Sequence, residues 1–257
     1  NLGLNKYFSK SETIGYQGFI LSYKYNLHLV PISKEVEAGL IPKKICVIGD
    51  GLVPFIKKYY SKLNVKTAPA FRFSYLYNDQ LLNKTEDTNY KILVALPISY
   101  SQSYNIITQI IKVSDSINLE YISWFIKPHP SLDISRLKNN LNHWPRNFEL
   151  TKENFSKSII NSNLMIGGSS STCMEALAYG IPVIIIADYS SILQNPIPNN
   201  VSKNMWSICY SEKDCINALN RFYKIKNLSK KKFRNEILKA YFNPISTESM
   251  ASILPLK

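Results

Sequence analysis

The residues best suited to chemistry fall in two short runs. The first is Lys127-Pro-His-Pro130, which sets a cation and an imidazole in a stretch stiffened by two prolines. It follows the apolar run Ile122–Ile126, which reads as a strand, and in an open parallel sheet ligands bind at the carboxyl ends of strands. Lys127 and His129 at such an end suit a phosphate, with Pro130 closing the loop. Without a ligand, the same four residues make a rigid turn carrying a surface histidine.

The second run, Gly167-Gly-Ser-Ser-Ser-Thr-Cys-Met-Glu175, passes from a strand into a helix. Gly167 and Gly168 let the backbone approach a ligand closely. The hydroxyls of Ser169, Ser170, Ser171 and Thr172, with the amides that open the helix, offer an anion several donors and need no metal. A purely structural alternative is a capping box between Thr172 and Glu175. One cap uses one hydroxyl, whereas four hydroxyl residues follow the glycines, so phosphate binding is the favoured reading. Glu175 is then either a cap or a ribose contact.

Three further places carry weaker signals. Thr13-Ile-Gly-Tyr-Gln-Gly18 reads as a polar, glycine-rich loop at an interdomain cleft, with Gln17 on the acceptor side. Arg72 sits among aromatics in Pro69–Ser74, where it could meet an anionic sugar or simply cover apolar surface. Asp50 lies past a strand end, as either a catalytic carboxylate or a turn former. His28 and His143 are ordinary by context. There is no GxxxxGK[ST] loop, Gly49-Asp-Gly51 lacks the third glycine of a dinucleotide fingerprint, and no GxSxG elbow occurs. These absences disfavour an ATPase, an NAD enzyme and an α/β-hydrolase.

The elements that must position these residues alternate between two periods. Continuous apolar runs at Lys91–Leu96, Ile122–Ile126, Leu164–Ile166 and Pro182–Ala187 read as strands. Between and after them, Ile106, Ile107, Ile110, Ile111 and Ile117, then Phe155, Ile159 and Ile160, then Ile216, Leu219 and Phe222, recur near the helical period. Apolar strands without alternation imply burial on both faces, hence a parallel sheet covered by helices. Residues 88–225 are therefore expected to form one doubly wound, Rossmann-like α/β domain. Residues 1–87, with a strand at Ile45–Ile48 and a helix over Pro54–Leu63, are expected to be part of a second such domain. In 226–257, Phe233, Ile237, Leu238 and Tyr241 mark a helix that could cross back to the N-terminal domain, with Pro244 stopping it.

The chain has 257 residues, enough for one large domain or two small ones, and Asn1 is not read as a natural terminus. Its longest apolar run, Ile181–Ala187, is strand-sized, and no secretory signal is visible. Cys46, Cys173, Cys209 and Cys215 form no CxxC pair, which disfavours a zinc site or a disulfide scaffold and fits a cytoplasmic protein. The net charge of +13 suits acidic partners, phosphorylated substrates among them, or else reflects a biased composition. A cluster at Lys230, Lys231, Lys232 and Arg234 could lie on anionic lipid at the inner membrane face, or be a solvated helix face. No nucleic-acid-binding motif supports that partner.

Lys127-Pro-His-Pro130 followed by Gly168-Ser-Ser-Ser-Thr172 and Glu175-Ala-Leu-Ala-Tyr-Gly-Ile-Pro-Val183 resembles the C-terminal half of GT-B glycosyltransferases. The two motifs are similar to the HP and serine motifs of bacterial sialyltransferases, polysialyltransferases and capsule Kdo transferases. Ile14-Gly-Tyr-Gln17 and Pro69–Tyr77 are similar to bacterial surface-carbohydrate proteins, including retaining β-Kdo transferases. The family pattern there is Gly-Tyr-Gln-His, and Gly18 stands where the His would be. The resemblance implies a metal-independent transferase with no cofactor. His129 and the serines would hold the phosphate and ribose of a CMP-sugar such as CMP-Kdo or CMP-sialic acid, with Asp50 and His129 as catalytic candidates. The acceptor would be a surface polysaccharide or lipid-linked glycan. A CDP-glycerol-type polyol-phosphate transferase, a UDP-sugar epimerase and a non-catalytic glycan-binding module are the competing expectations.

Overall fold

The computed structural model describes residues 7, 11–20, 31–58, 60–78, 89–117, 122–188, 195–224 and 230–254. The chain divides into two compact units, Asn1–Asn78 with Asn235–Lys257, and Asp79–Arg234. His28 lies outside the described residues.

The first unit holds β1 (Ile14–Gln17), α1 (Ser33–Glu37), β2 (Lys44–Val47), α2 (Val53–Lys57) and β3 (Val65–Thr67). The three strands are parallel, in the order β1-β2-β3, with Gln17, Val47 and Thr67 in register at their carboxyl ends. Ile45, Cys46, Val47 and Ile48 are all buried, as a parallel strand covered on both faces requires. Ile14–Gln17 is thus a strand, not the expected loop. The helix expected over Pro54–Leu63 is shorter: Lys58 N–H closes on Phe55 O at 3.3 Å and α2 ends there.

The second unit runs β4 (Tyr90–Ala95), α3 (Tyr100–Ser116), β5 (Ile122–Lys127), α4 (Ile134–Asn139), β6 (Phe148–Leu150), α5 (Phe155–Ile160), β7 (Leu164–Gly167), α6 (Thr172–Ala178), β8 (Val183–Ile186), β9 (Trp206–Cys209) and α7 (Glu212–Lys224). Its six strands are parallel, in the order β6-β5-β4-β7-β8-β9. The chain winds outward from β4 through β5 to β6, returns to the far side of β4 as β7, and winds the other way to β9. The switch point of this doubly wound sheet is therefore the crevice between the carboxyl ends of β4 and β7, where such sheets bind ligands.

Side-chain alternation gives the sheet two apolar faces. Ile92, Val94, Ile126, Ile166, Ile184 and Ile186 pack with Ile106, Ile107 and Ile110 of α3 and with Leu219 and Phe222 of α7. Leu93, Met165, Val183 and Ile185 point the other way and are equally buried. Burying a side chain of this size contributes about 1.5–3 kcal/mol, so this core fixes the strand register that the site depends on. Polar caps set where the helices begin: Asp133 accepts from Arg136 N–H at the start of α4, and Asn154 from Lys157 N–H at the start of α5, both at 2.9 Å.

After α7 come α8 (Lys230–Tyr241) and α9 (Thr247–Met250). The chain just beyond α8 is bonded into the first unit: Asn243 N–H donates to Ile48 O at 2.6 Å, and Asn243 O accepts from Ala70 N–H at 2.8 Å. Phe242 meets Phe73 edge-on, with ring centroids 5.0 Å apart.

Candidate functional site

The second unit presents three loops side by side at the carboxyl edge of its sheet. Lys127, Ala95 and Gly167 are register partners on β5, β4 and β7. The Lys127–Pro130 loop and the Gly168–Thr172 turn thus leave the same edge, two strand spacings or about 10 Å apart. They do not come from adjacent strands: β4 lies between them, and its own exit, Leu96–Ser99, forms the middle of the site. His129 N–H donates to Leu96 O at 3.1 Å and ties the histidine loop to that exit. The Leu96–Ser99 loop carries no charged or histidine side chain, so nothing in the sequence marked it. Its role follows from the strand order alone.

In the histidine loop, Ser131 N–H donates to His129 Nδ1 at 3.1 Å. The neutral imidazole then carries its proton on Nε2, which is left to face a ligand as a donor. His129 and Pro130 are exposed, and Lys127 is half-buried. Lys127 makes no salt bridge among the described residues. Pairing with Ala95 and Gly167 puts its side chain on their face of the sheet.

The turn after β7 is more open than a capping box. Ser171 is the N-cap of α6 by position but makes no side-chain cap bond. Ser170 Oγ does that work instead, accepting from Thr172 N–H at 3.3 Å and Thr172 Oγ1 at 2.9 Å. The alternative of a Thr172–Glu175 capping box is therefore not formed, because Thr172 already sits inside the helix. Among the described residues, the amides of Ser169, Ser170 and Ser171 and the hydroxyls of Ser169 and Ser171 have no protein partner, and all three serines are half-buried rather than free in solvent. That is three N–H groups and two O–H groups converging on one turn. Gly168 is needed for packing as well: a Cβ there would come 3.3 Å from Ile106 Cδ1 and 3.8 Å from Pro97 Cγ.

Two neighbours of the turn are buried. Cys173 Sγ donates to Gly168 O at 3.4 Å, and burial pushes its thiol up to about 12, so it is no nucleophile at neutral pH. Glu175 is only 6% exposed. Burial and the Glu175 carboxylate raise the Tyr179 hydroxyl to about 12, and Arg234 opposes them. Arg234 is also 6% exposed, so the basic cluster on α8 does not present all four of its cations to a surface.

The other site candidates lie in the first unit. Asp50 is exposed just past β2, and its Oδ1 accepts from Thr67 Oγ1 at the end of β3. Gln17 ends β1 at the same edge. Arg72 is exposed, with its guanidinium 5.6 Å from the Phe73 ring centroid. The departure at Gly18 has a physical reason: Tyr16 donates to Pro69 O at 2.7 Å, and its ring lies so close that a Cβ on residue 18 would be 2.7 Å from it. A histidine there would have to displace the tyrosine. Among the described residues, no group of three or more His, Cys, Asp or Glu side chains is placed to hold a metal ion, and no helix is long and apolar enough to cross a membrane.

No protein-family model matches the chain, and no curated protein matches it in sequence. Solved structures do match in fold. The UDP-GlcNAc 2-epimerase from Neisseria meningitidis bound to UDP-GlcNAc is 15% identical, with a TM-score of 0.59 over 97% of this chain and 70% of that one. The calicheamicin glycosyltransferase CalG4 is 11% identical, with a TM-score of 0.58 over 92% of this chain and 66% of that one. The S. aureus protein MnaA, solved with UDP, is 13% identical, with a TM-score of 0.56 over 96% of this chain and 67% of that one. The chain has the GT-B-like fold, an α/β arrangement with two parallel, Rossmann-type sheets. It spans about two thirds of the length of the structures it matches.

Proposed function

We propose that this chain is the larger part of a GT-B glycosyltransferase, and that the carboxyl edge of β5, β4 and β7 holds the phosphate of its nucleotide-sugar donor. The observation that supports this reading is the set of unpartnered amides on Ser169, Ser170 and Ser171 and hydroxyls on Ser169 and Ser171, at the switch point and on the same sheet edge as Lys127 and His129. Such donors stabilise the negative charge that grows on the leaving phosphate as the glycosidic bond breaks. His129 would donate through Nε2 and Lys127 would supply a positive charge. Asp50 is the candidate base or nucleophile, with Gln17 and Arg72 as acceptor contacts. The sequence resemblance suggests a CMP-linked Kdo or sialic acid as donor and a bacterial surface or lipid-linked glycan as acceptor.

A second reading, a UDP-sugar epimerase, is favoured by the fold likeness to the N. meningitidis UDP-GlcNAc 2-epimerase. Titration of UDP, CDP and CMP by calorimetry tests the shared core of both readings. One nucleotide should bind with a micromolar-range Kd, and His129→Ala should weaken it by about 10- to 100-fold, the worth of one hydrogen bond to a charged group. If no nucleotide binds below millimolar, or His129→Ala leaves the affinity untouched, the reading fails. Product analysis then separates the two: net sugar transfer to an acceptor for the first, an epimerised free sugar or nucleotide-sugar for the second.

A further inference from the structure

The first unit exposes two aromatic rings at the carboxyl edge of its sheet, close to Asp50. We infer that Tyr16 and Phe71 form a ledge on which a sugar ring of the acceptor glycan stacks, with a hydroxyl of that glycan on the Asp50 carboxylate. This subsite rests on the transferase reading above, in which Asp50 meets the acceptor, and it gives the acceptor a chemical class.

Tyr16, near the end of β1, is 39% exposed, and Phe71, four residues past β3, is 41% exposed. Their ring centroids are 5.7 Å apart, with the planes tilted by 52°. Both rings stand on fixed backbone. Tyr16 Oη donates to Pro69 O at 2.7 Å, and Gly18 leaves room for the ring. Phe71 follows Ala70, whose N–H is bonded to Asn243 O at 2.8 Å, and precedes the buried Phe73, which packs edge-on against Phe242. Arg72, between them, sets its guanidinium against Phe73. A platform already ordered in this way loses little freedom when a ligand binds.

Asp50 is tied to the same stretch of chain. Its Oδ1 accepts from Thr67 Oγ1, while Tyr16 is bonded to Pro69, two residues further on. At most about 7 Å of backbone separates these two anchor points, so one glycan reaches both the carboxylate and the rings.

The residue types then select the ligand. A pyranose turns a face of C–H groups towards the electron-rich face of an aromatic ring and carries hydroxyls around its rim. A carboxylate accepts from such hydroxyls. Exposed aromatics also suit a membrane surface, but the exposed Asp50 carboxylate beside them would be repelled by anionic headgroups. A UDP-sugar epimerase takes no acceptor, so the ledge favours the first of the two functional readings.

Saturation-transfer NMR on the whole chain tests the ledge. The probes are the methyl pyranosides of glucose, galactose, mannose, rhamnose and N-acetylglucosamine, each with a matching disaccharide. At least one should receive saturation at its ring C–H protons. Phe71→Ala should weaken that sugar about tenfold, and Phe71→Trp, which keeps an aromatic face, should bind it as wild type does. Tyr16→Phe removes the bond to Pro69 but keeps the ring, so it should still bind the sugar. Circular dichroism checks that each variant is folded, and nucleotide affinity should be the same in all of them. If no sugar of the panel binds, or Phe71→Ala leaves sugar binding untouched, the ledge is overturned and the donor site stands or falls by its own titration. Phe71-dependent sedimentation with phosphatidylglycerol vesicles, without sugar binding, overturns it in favour of a membrane contact. Sugar binding by a chain that binds no nucleotide overturns the acceptor role together with the transferase reading.

Discussion

Two glycine turns in this chain look alike in sequence and do opposite things. Gly49-Asp-Gly51 follows β2 in the first unit, and Gly167-Gly168 ends β7 in the second. Both stand at the carboxyl edge of a parallel sheet, where ligands are expected. At Gly49, however, the space is filled by protein: a Cβ would run into the Ala240 carbonyl and the backbone of Tyr241, and one on Gly51 would lie 2.9 Å from the Tyr241 ring. At Gly168 a Cβ would meet side chains rather than backbone, the nearest being Ile106 Cδ1 at 3.3 Å, and the three serines that follow carry unpartnered donors. A glycine after a strand thus marks a close approach. Whether a helix or a ligand makes that approach depends on the rest of the fold.

The sharpest way to break this contrast is to add a methyl group to each turn. Gly49→Ala should destabilise the protein by about 3 kcal/mol or more in thermal or urea unfolding, because backbone cannot move aside as a side chain can. Gly168→Ala should be milder, at about 1 kcal/mol, since Ile106 Cδ1 is the end of a flexible side chain. Equal penalties would mean that the two turns are equally packed and that the second is no cradle.

The serines offer a finer test within one turn. Ser170→Ala removes the cap of α6 and should lower stability by about 1 kcal/mol. Ser169→Ala and Ser171→Ala remove hydroxyls with no protein partner, so stability should stay within about 0.5 kcal/mol while nucleotide affinity falls. A smaller effect concerns Cys173. With its thiol raised to about 12 by burial, it should resist alkylation in the native protein at pH 8 and react only after unfolding, as mass spectrometry of labelled peptides would show.

The smallest effect is one of pH. Asp214 lies below the usual carboxylate range because Ser211, then the backbone of Tyr210, hydrogen-bond to it. A depressed carboxyl stabilises the fold above its unfolded value and loses that contribution as pH falls through its folded value. Asp214→Asn should therefore lower the melting temperature slightly at pH 7, and the difference should close on acidification below the ordinary aspartate range. A difference that persists there would assign the effect to packing rather than charge.

Much of the second unit was legible in the sequence. The runs through Ile92, Ile166 and Ile184 are nearly all apolar because those strands are covered on both faces, whereas Ile122–Ile126 holds Ser123 and alternates buried with half-buried residues. The short strands β6 and β9 were not legible. In Phe148–Leu150 only the phenylalanine is buried, and in Trp206–Cys209 only the ends are, so neither makes a continuous run. β1 was hidden by its glycine and polar residues, which read as a loop. At the site, both motifs were visible as residue types and β4 as a strand, but its place between them was not, because parallel strand order depends on contacts far apart in the chain.

The most direct measurement is a double-mutant cycle on nucleotide affinity with His129→Ala, Ser171→Ala and the two combined. The residues sit on loops about 10 Å apart, so a shared phosphate is what would couple them. Each single change should weaken binding about tenfold, and the pair should depart from additivity by at least about 0.5 kcal/mol. Wild-type affinity in both single variants would contradict the account, since the nucleotide would then be bound somewhere other than the switch point.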